Sequence, residues 1–189
     1  MRLTLIGALV LFLLAAAAGH AVMLTLIPMH ATDAQIENYK KKGRPINVLF
    51  PSGIKTAATS KVPRDNGDTN TLRVIFDFSK GGFILEGPMP KNAAYWSSSM
   101  FAHNTDTDFI ISDRQITGDH FKIAFIGPHQ KLTREVAPIV ARSSSRTAIM
   151  IVRSTMPDRN DAAKVAALMD ELKQVTLTPI PADALAPAS

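Results

Sequence analysis

Between Ala102 and Phe121 the chain gathers His103, Asn104, Asp106, Asp108, Asp113 and His120. Oxygen and imidazole donors at that density are the ordinary ligands of divalent ions, carboxylates for calcium or magnesium and imidazole for zinc. Asp106 and Asp108 make the Asp-x-Asp start of a calcium loop and are the two metal candidates in the chain. The pattern then stops, because Ile110 and Ile111 stand where a third oxygen ligand and a glycine are required. Asp and Asn are also the residues that close hairpin turns. A turn is the reading kept for this stretch, and no cofactor is expected.

Ser52-Gly53-Ile54-Lys55 matches the Ser-x-x-Lys pattern of penicillin-recognising serine enzymes. Its companion Lys-Thr-Gly is missing, since Lys55-Thr56 is followed by Ala57, and no helix pattern carries the serine. There is no glycine-rich phosphate loop, no Gly-x-Ser-x-Gly elbow and no His-Glu-x-x-His. The absence of cysteine removes disulfides, thiol nucleophiles and thiolate metal sites. The net charge of +5 is spread along the chain. Its dense run is Lys40-Lys41-Lys42 with Arg44, and Tyr39 is the single aromatic beside it. Nucleic-acid binding, which needs a concentrated basic stripe with interleaved aromatics, is not expected.

These residues need a scaffold, and its first part is plain. Leu3 to Ile27 contains no charged side chain. At helical rise that segment is about 38 Å long, more than the roughly 30 Å of hydrocarbon in a bilayer. Arg2 and the small residues Ala16 to Ala21 would also suit a cleaved signal peptide. The apolar run continues through Val22 to Ile27, nearly two turns further than a signal peptide requires, so residues 1–28 are read as a retained anchor. Within it, His20 is placed to reach the interface, and Ala15 with Gly19 forms a small-residue notch. Arg2 precedes the span, whereas the ten residues after Pro28 hold Asp33 and Glu37 and no Lys or Arg. The positive-inside rule then puts the N-terminus in the cytoplasm and the main domain outside it. Lys40 to Arg44 pulls against that orientation.

Residues 29–50 read as a juxtamembrane helix and linker. Thr32 or Asp33 caps Ala31 to Lys40, and Gly43 and Pro45 stop it. Pro51 to Asn70 reads as a loop. Leu72 to Phe78 alternates apolar and polar residues as a strand does, and Ser79 to Gly82 turns it into Phe83 to Glu86 as a hairpin. Tyr95 to Ala102, Thr107 to Ile111, Phe121 to Ile126 and Thr147 to Val152 are further strands. Lys131 to Arg142 is a helix candidate interrupted by Pro138. Asp158 to Lys173 is a firmer one, with Val165, Leu168, Met169 and Leu172 on one face. Residues 51–178 thus form one β-rich unit, and 179–189 a Pro/Ala-rich disordered tail. The expected class is α+β, mainly β: a transmembrane helix, then an antiparallel sheet or small β-sandwich with a C-terminal helix.

Tyr95-Trp96-Ser97, Phe101, Phe109 and Asp113-Arg114 resemble the domain of unknown function 1254. The anchor ending at Gly19-His20-Ala21 and Ile27-Pro28 resembles its short, membrane-anchored members, as do the Arg73 to Asp77 strand and Ile149 to Arg153 followed by Pro157. Ala102 departs from the pattern, which has Asp after the aromatic. The resemblance implies a bacterial membrane-associated domain that is one half of a two-part assembly. Its companion would be a protein of the sister domain of unknown function 1214. In physical terms Trp96 and Phe101 supply buried area, while Asp113 and Arg114 tie a turn. Trp96, Ser97 and Arg114 are the candidates for a ligand pocket. The expected function is a membrane-tethered binding or assembly module; the alternative is an envelope enzyme, perhaps a hydrolase, whose site a partner completes.

Overall fold

The computed structural model describes residues 2–54 and 66–188. Lys55 and the centre of the expected loop lie outside the described residues. Its first element, α1 (Arg2–Lys41), merges the apolar span and the juxtamembrane segment into one helix. Pro28 lies inside it. A proline removes one N–H from the helical ladder, yet the helix runs on because its later turns are packed. Thr32, Ile36 and Tyr39, spaced for one helical face, point at the sheet, and Thr32 and Tyr39 are only 1% and 4% exposed. Thr32 is therefore a packing residue rather than a cap. From Thr4 to Ile27 the side chains are exposed, and the helix is long and apolar enough to cross a membrane.

A five-stranded antiparallel sheet runs in the order β1 (Phe50–Ile54), β2 (Thr69–Asp77), β9 (Thr147–Thr155), β4 (Tyr95–Ala102) and β5 (Thr107–Ser112). A second sheet has the order β10 (Thr176–Pro179), β3 (Phe83–Pro88), β6 (His120–Ile126) and β8 (Ile139–Arg142), its last pair parallel. A short pair joins β7 (Gln130–Leu132) to β11 (Leu185–Pro187). Leu72, Val74 and Phe76 of β2, Trp96 and Met100 of β4, and Phe121, Ile123 and Phe125 of β6 belong to one core. That core is closed by α2 (Ala162–Leu172) through Leu168 and Leu172. The expected class, α+β and mainly β with an N-terminal and a C-terminal helix, is what the structure shows.

Several expectations are corrected. Leu72–Phe78 and Phe83–Glu86 do not pair as a hairpin; β2 and β3 belong to different sheets. The intervening 3-10 turn Phe78–Lys80, with Gly81 at φ 117°, carries the chain from one layer to the other. Burial drives the corner, since Phe76 stacks on both Phe78 and Phe83 at 5.0 and 5.4 Å. Lys131–Arg142 is not a helix but holds β7 and β8, because Pro138 denies a helix its ladder. Helix α2 starts later than expected, with Asp161 rather than Asp158 accepting the first N–H groups, from Ala163 and Lys164. Residues 179–188 are not a disordered tail. Ile180 and Ala184 bury themselves against Ile84, Ala124 and Ile126, and β11 pairs with β7.

Candidate anion-binding face

The period of two along a strand sorts the five-stranded sheet into an inner face on the core and an outer face. On the outer face one register row reads Phe50, Arg73, Ile151, Ser99 and Ile110 across β1, β2, β9, β4 and β5. The next row reads Thr71, Arg153, Ser97 and Ser112. Helix α1 lies on this same face, where Tyr39 clusters with Ile75 and Ile149. Just past the helix end, Arg44 places its guanidinium 4.2 Å from the Phe50 ring centroid and 5.5 Å from that of Tyr39.

Arg44, Arg73 and Arg153 thus converge where the helix ends on the sheet. Among the described residues none of the three side chains forms an ion pair or a hydrogen bond. Arg73 Nε is buried without a partner, and so is the Tyr39 hydroxyl. Burial lowers the Arg73 pKa; Tyr39 opposes this, and the neighbouring charges of Arg44 and Arg153 lower it further. A partly desolvated guanidinium beside two like charges is electrostatically unsatisfied, and an anion would relieve both the desolvation and the repulsion. Guanidinium forks match carboxylate or phosphate oxygens in paired hydrogen bonds. Three guanidinium groups and a phenol hydroxyl thus share one face, the chemistry that suits an anionic group.

The ligand candidates from the sequence divide. Ser97 lies on this face beside Arg153, paired with Ser112 across to β5. Arg114 follows two residues after Ser112 but is exposed, and Asp113 binds its backbone N–H rather than its guanidinium, at 2.9 Å. Trp96 points the opposite way, into the core, 4.6 Å from Phe121. It ends an inner row Asn70–Ser154–Trp96. Asn70 Oδ1, Ser154 Oγ, Trp96 Nε1 and Ser98 Oγ are all buried there without partners. Asn70 also borders a cavity of about 230 Å³ against Met169 and Leu172 of α2, and its Nδ2 lies 2.8 Å from the Met169 sulfur.

The two metal candidates separate as well. Asp108 accepts from Ser143 Oγ at 3.1 Å and the Ser144 N–H at 2.7 Å, whereas Asp106 is engaged by Asn104 at 2.7 Å. His103 pairs with Asp33 of α1 at 2.8 Å, and His120 with Asp119 at 3.2 Å. Among the described residues no three His, Asp or Glu side chains come together as a metal-holding group.

A profile of proteins of unknown function, DUF1254, matches residues 48–176. The chain belongs to the DUF1254 family. The match takes in Arg73, Ser97 and Arg153 and leaves out α1, and with it Tyr39 and Arg44. The anion face is therefore shared between the DUF1254 domain and the helix before it. Among solved structures, the VPA0106 protein from Vibrio parahaemolyticus is similar at 18% identity with a TM-score of 0.63, covering 81% of this chain and 35% of its own. An uncharacterised protein from Burkholderia cenocepacia, also 18% identical, covers 71% of this chain and 35% of its own with a TM-score of 0.47. The chain spans about a third of the length of the solved structures it matches. No curated protein matches it.

Proposed function

We propose that this DUF1254 chain is a membrane-tethered binding module that docks an acidic segment of a companion protein on its arginine face. In this reading α1 spans a bacterial inner membrane from the cytoplasm, and the β-rich domain stands in the periplasm. The observation that carries it is the trio Arg44, Arg73 and Arg153, left without acidic partners among the described residues while Arg73 Nε and the Tyr39 hydroxyl are buried and unpaired. A fold does not retain like charges in partial burial for stability; a partner's carboxylates would satisfy them. Support for a two-part assembly comes from the Vibrio protein, of whose chain this fold covers 35%. The companion proposed is a protein of the sister domain of unknown function 1214.

The test is a binding titration of the full chain in detergent micelles against that companion. Arg153→Glu should weaken binding by about thirtyfold or more, the range seen when one charge of a desolvated pair is lost. Arg114→Glu, on the exposed turn, should change it little. Equal affinities for the parent chain and Arg153→Glu would remove the proposal.

A further inference from the structure

An open cleft of about 540 Å³ lies at the other end of the strands from Arg153, bounded by Phe78, Lys80, His129, Arg146, Leu185 and Pro187. No carboxylate lines it. Arg146 is held at its edge by Asp77 and by Ser79 Oγ, both at 3.3 Å, and Lys80 has no ion-pair partner among the described residues. Its floor is rigid: Gln130 Oε1 takes the Gly127 N–H at 2.8 Å, and Gln130 Nε2 donates to the Phe78 carbonyl at 2.7 Å. A Cβ on Gly127 would come within 2.7 Å of Phe78 Cβ. The cleft thus combines cationic side chains with an apolar wall, which is the chemistry of an anionic amphiphile.

A chain of contacts ties this rim to α1. Asp33 pairs with His103 at 2.8 Å, the His103 N–H donates to Ser145 Oγ at 2.8 Å, and Arg146 is the next residue. Asp33 is six residues past Ile27, so it stands about 9 Å along the helix axis from the end of the apolar span. The headgroup layer on each side of a bilayer occupies about 5–7 Å beyond the hydrocarbon. The rim that carries Arg146 thus lies at the end of the domain where α1 enters from the apolar span, whereas Arg153 lies at the far end of β9.

The geometry points to the cleft as a site for the headgroup of an anionic phospholipid from the bilayer that α1 spans. This rests on the proposed membrane-spanning role of α1. The phosphate would meet Lys80 and Arg146, and the glycerol and upper acyl carbons would lie along Phe78, Leu185 and Pro187. Lys80, together with Arg146 at the edge, favours an anionic over a zwitterionic headgroup.

The experiment is native mass spectrometry of the full chain released from nanodiscs of mixed phosphatidylglycerol and phosphatidylcholine. Phosphatidylglycerol should be retained at least about fivefold over phosphatidylcholine, and Lys80→Glu should abolish the preference with no change in melting temperature. Lys131→Glu, on the neighbouring strand but outside the lining, should leave it. Equal retention of the two lipids, or an unchanged preference in Lys80→Glu, overturns the site. Alkaline extraction separates the two readings. A chain that stays in the membrane but shows no preference loses only the cleft; a chain released by alkali loses both.

Discussion

Arg73 and Arg153 show how far single residues carried meaning before the fold was seen. Arg73 sits among Leu72, Val74 and Phe76, so strand alternation marks it as outward-facing; Arg153 lies just past the apolar run Ile149 to Val152, and its facing follows from its pairing with Thr71 and Ser97. Their convergence with Arg44 was not legible, because it depends on strand order β1-β2-β9-β4-β5 and on where α1 comes to rest. Trp96 and Ser97 were singled out as neighbours, yet adjacency in a strand puts them on opposite faces. Trp96→Ala should destabilise the domain by about 3–5 kcal/mol, as loss of a buried large aromatic does. Trp96→Phe should cost less than half as much, since Nε1 has no partner to lose; denaturant melts of both variants check the ratio. Asp77 offers a pH test. Burial pushes its carboxyl up, but hydrogen bonds from Ser79 side chain and backbone, with the Arg146 hydrogen bond and charge, outweigh this and hold it below its ordinary value. A depressed carboxylate stabilises the fold above its unfolded pKa of about 3.9, and that stability is lost as pH falls through the lower folded value. Asp77→Asn should therefore melt below the parent at pH 7, and the gap should close near pH 2.

At the scale of elements, the strands with strong alternation were legible nearly to the residue, Tyr95–Ala102 among them. What escaped were elements whose partners are distant in sequence. The β2–β3 corner looked like a hairpin because its turn residues suit one; the stacking of Phe76 on Phe78 and Phe83 decides otherwise. The segments β7, β8, β10 and β11 are three or four residues each, too short for any period to show. The C-terminal residues looked disordered from their Pro and Ala content, while Ile180 and Ala184 supply contacts that composition does not reveal. Removing residues 180–189 should lower stability by about 2–3 kcal/mol, mostly from the burial of Ile180. A true tail would leave the denaturation midpoint where it was. Gly82→Ala should be similarly damaging, because a Cβ there would lie 2.8 Å from Ile180 Cδ1 and 2.9 Å from the Phe125 carbonyl oxygen.

For the molecule as a whole, the apolar span was the most legible feature, and its continuation into the domain was the least. Capping signals at Thr32 and Asp33 argued for a break, and the sheet overrode them by burying Thr32. The chain has no cysteine, so one introduced thiol reports its own location without background. Asp106→Cys in the β4–β5 turn should react with a membrane-impermeant maleimide added to intact inner-membrane spheroplasts. Labelling only after lysis would reverse the proposed orientation.

The unbroken run of α1 through Pro28 to Tyr39 has a further consequence. Because the sheet is packed against the same helix that carries the apolar span, the domain has no swivel of its own relative to that span. Each residue of an α-helix advances the direction of its side chains by about 100°. One alanine inserted between His30 and Ala31 would swing the arginine face about a quarter of the way round the helix axis relative to the apolar span and lift it about 1.5 Å, with every contact inside the domain preserved. The bearing of the arginine face is thus written in the residue count of the helix beneath it, as the heading of a weathervane is set by its shaft.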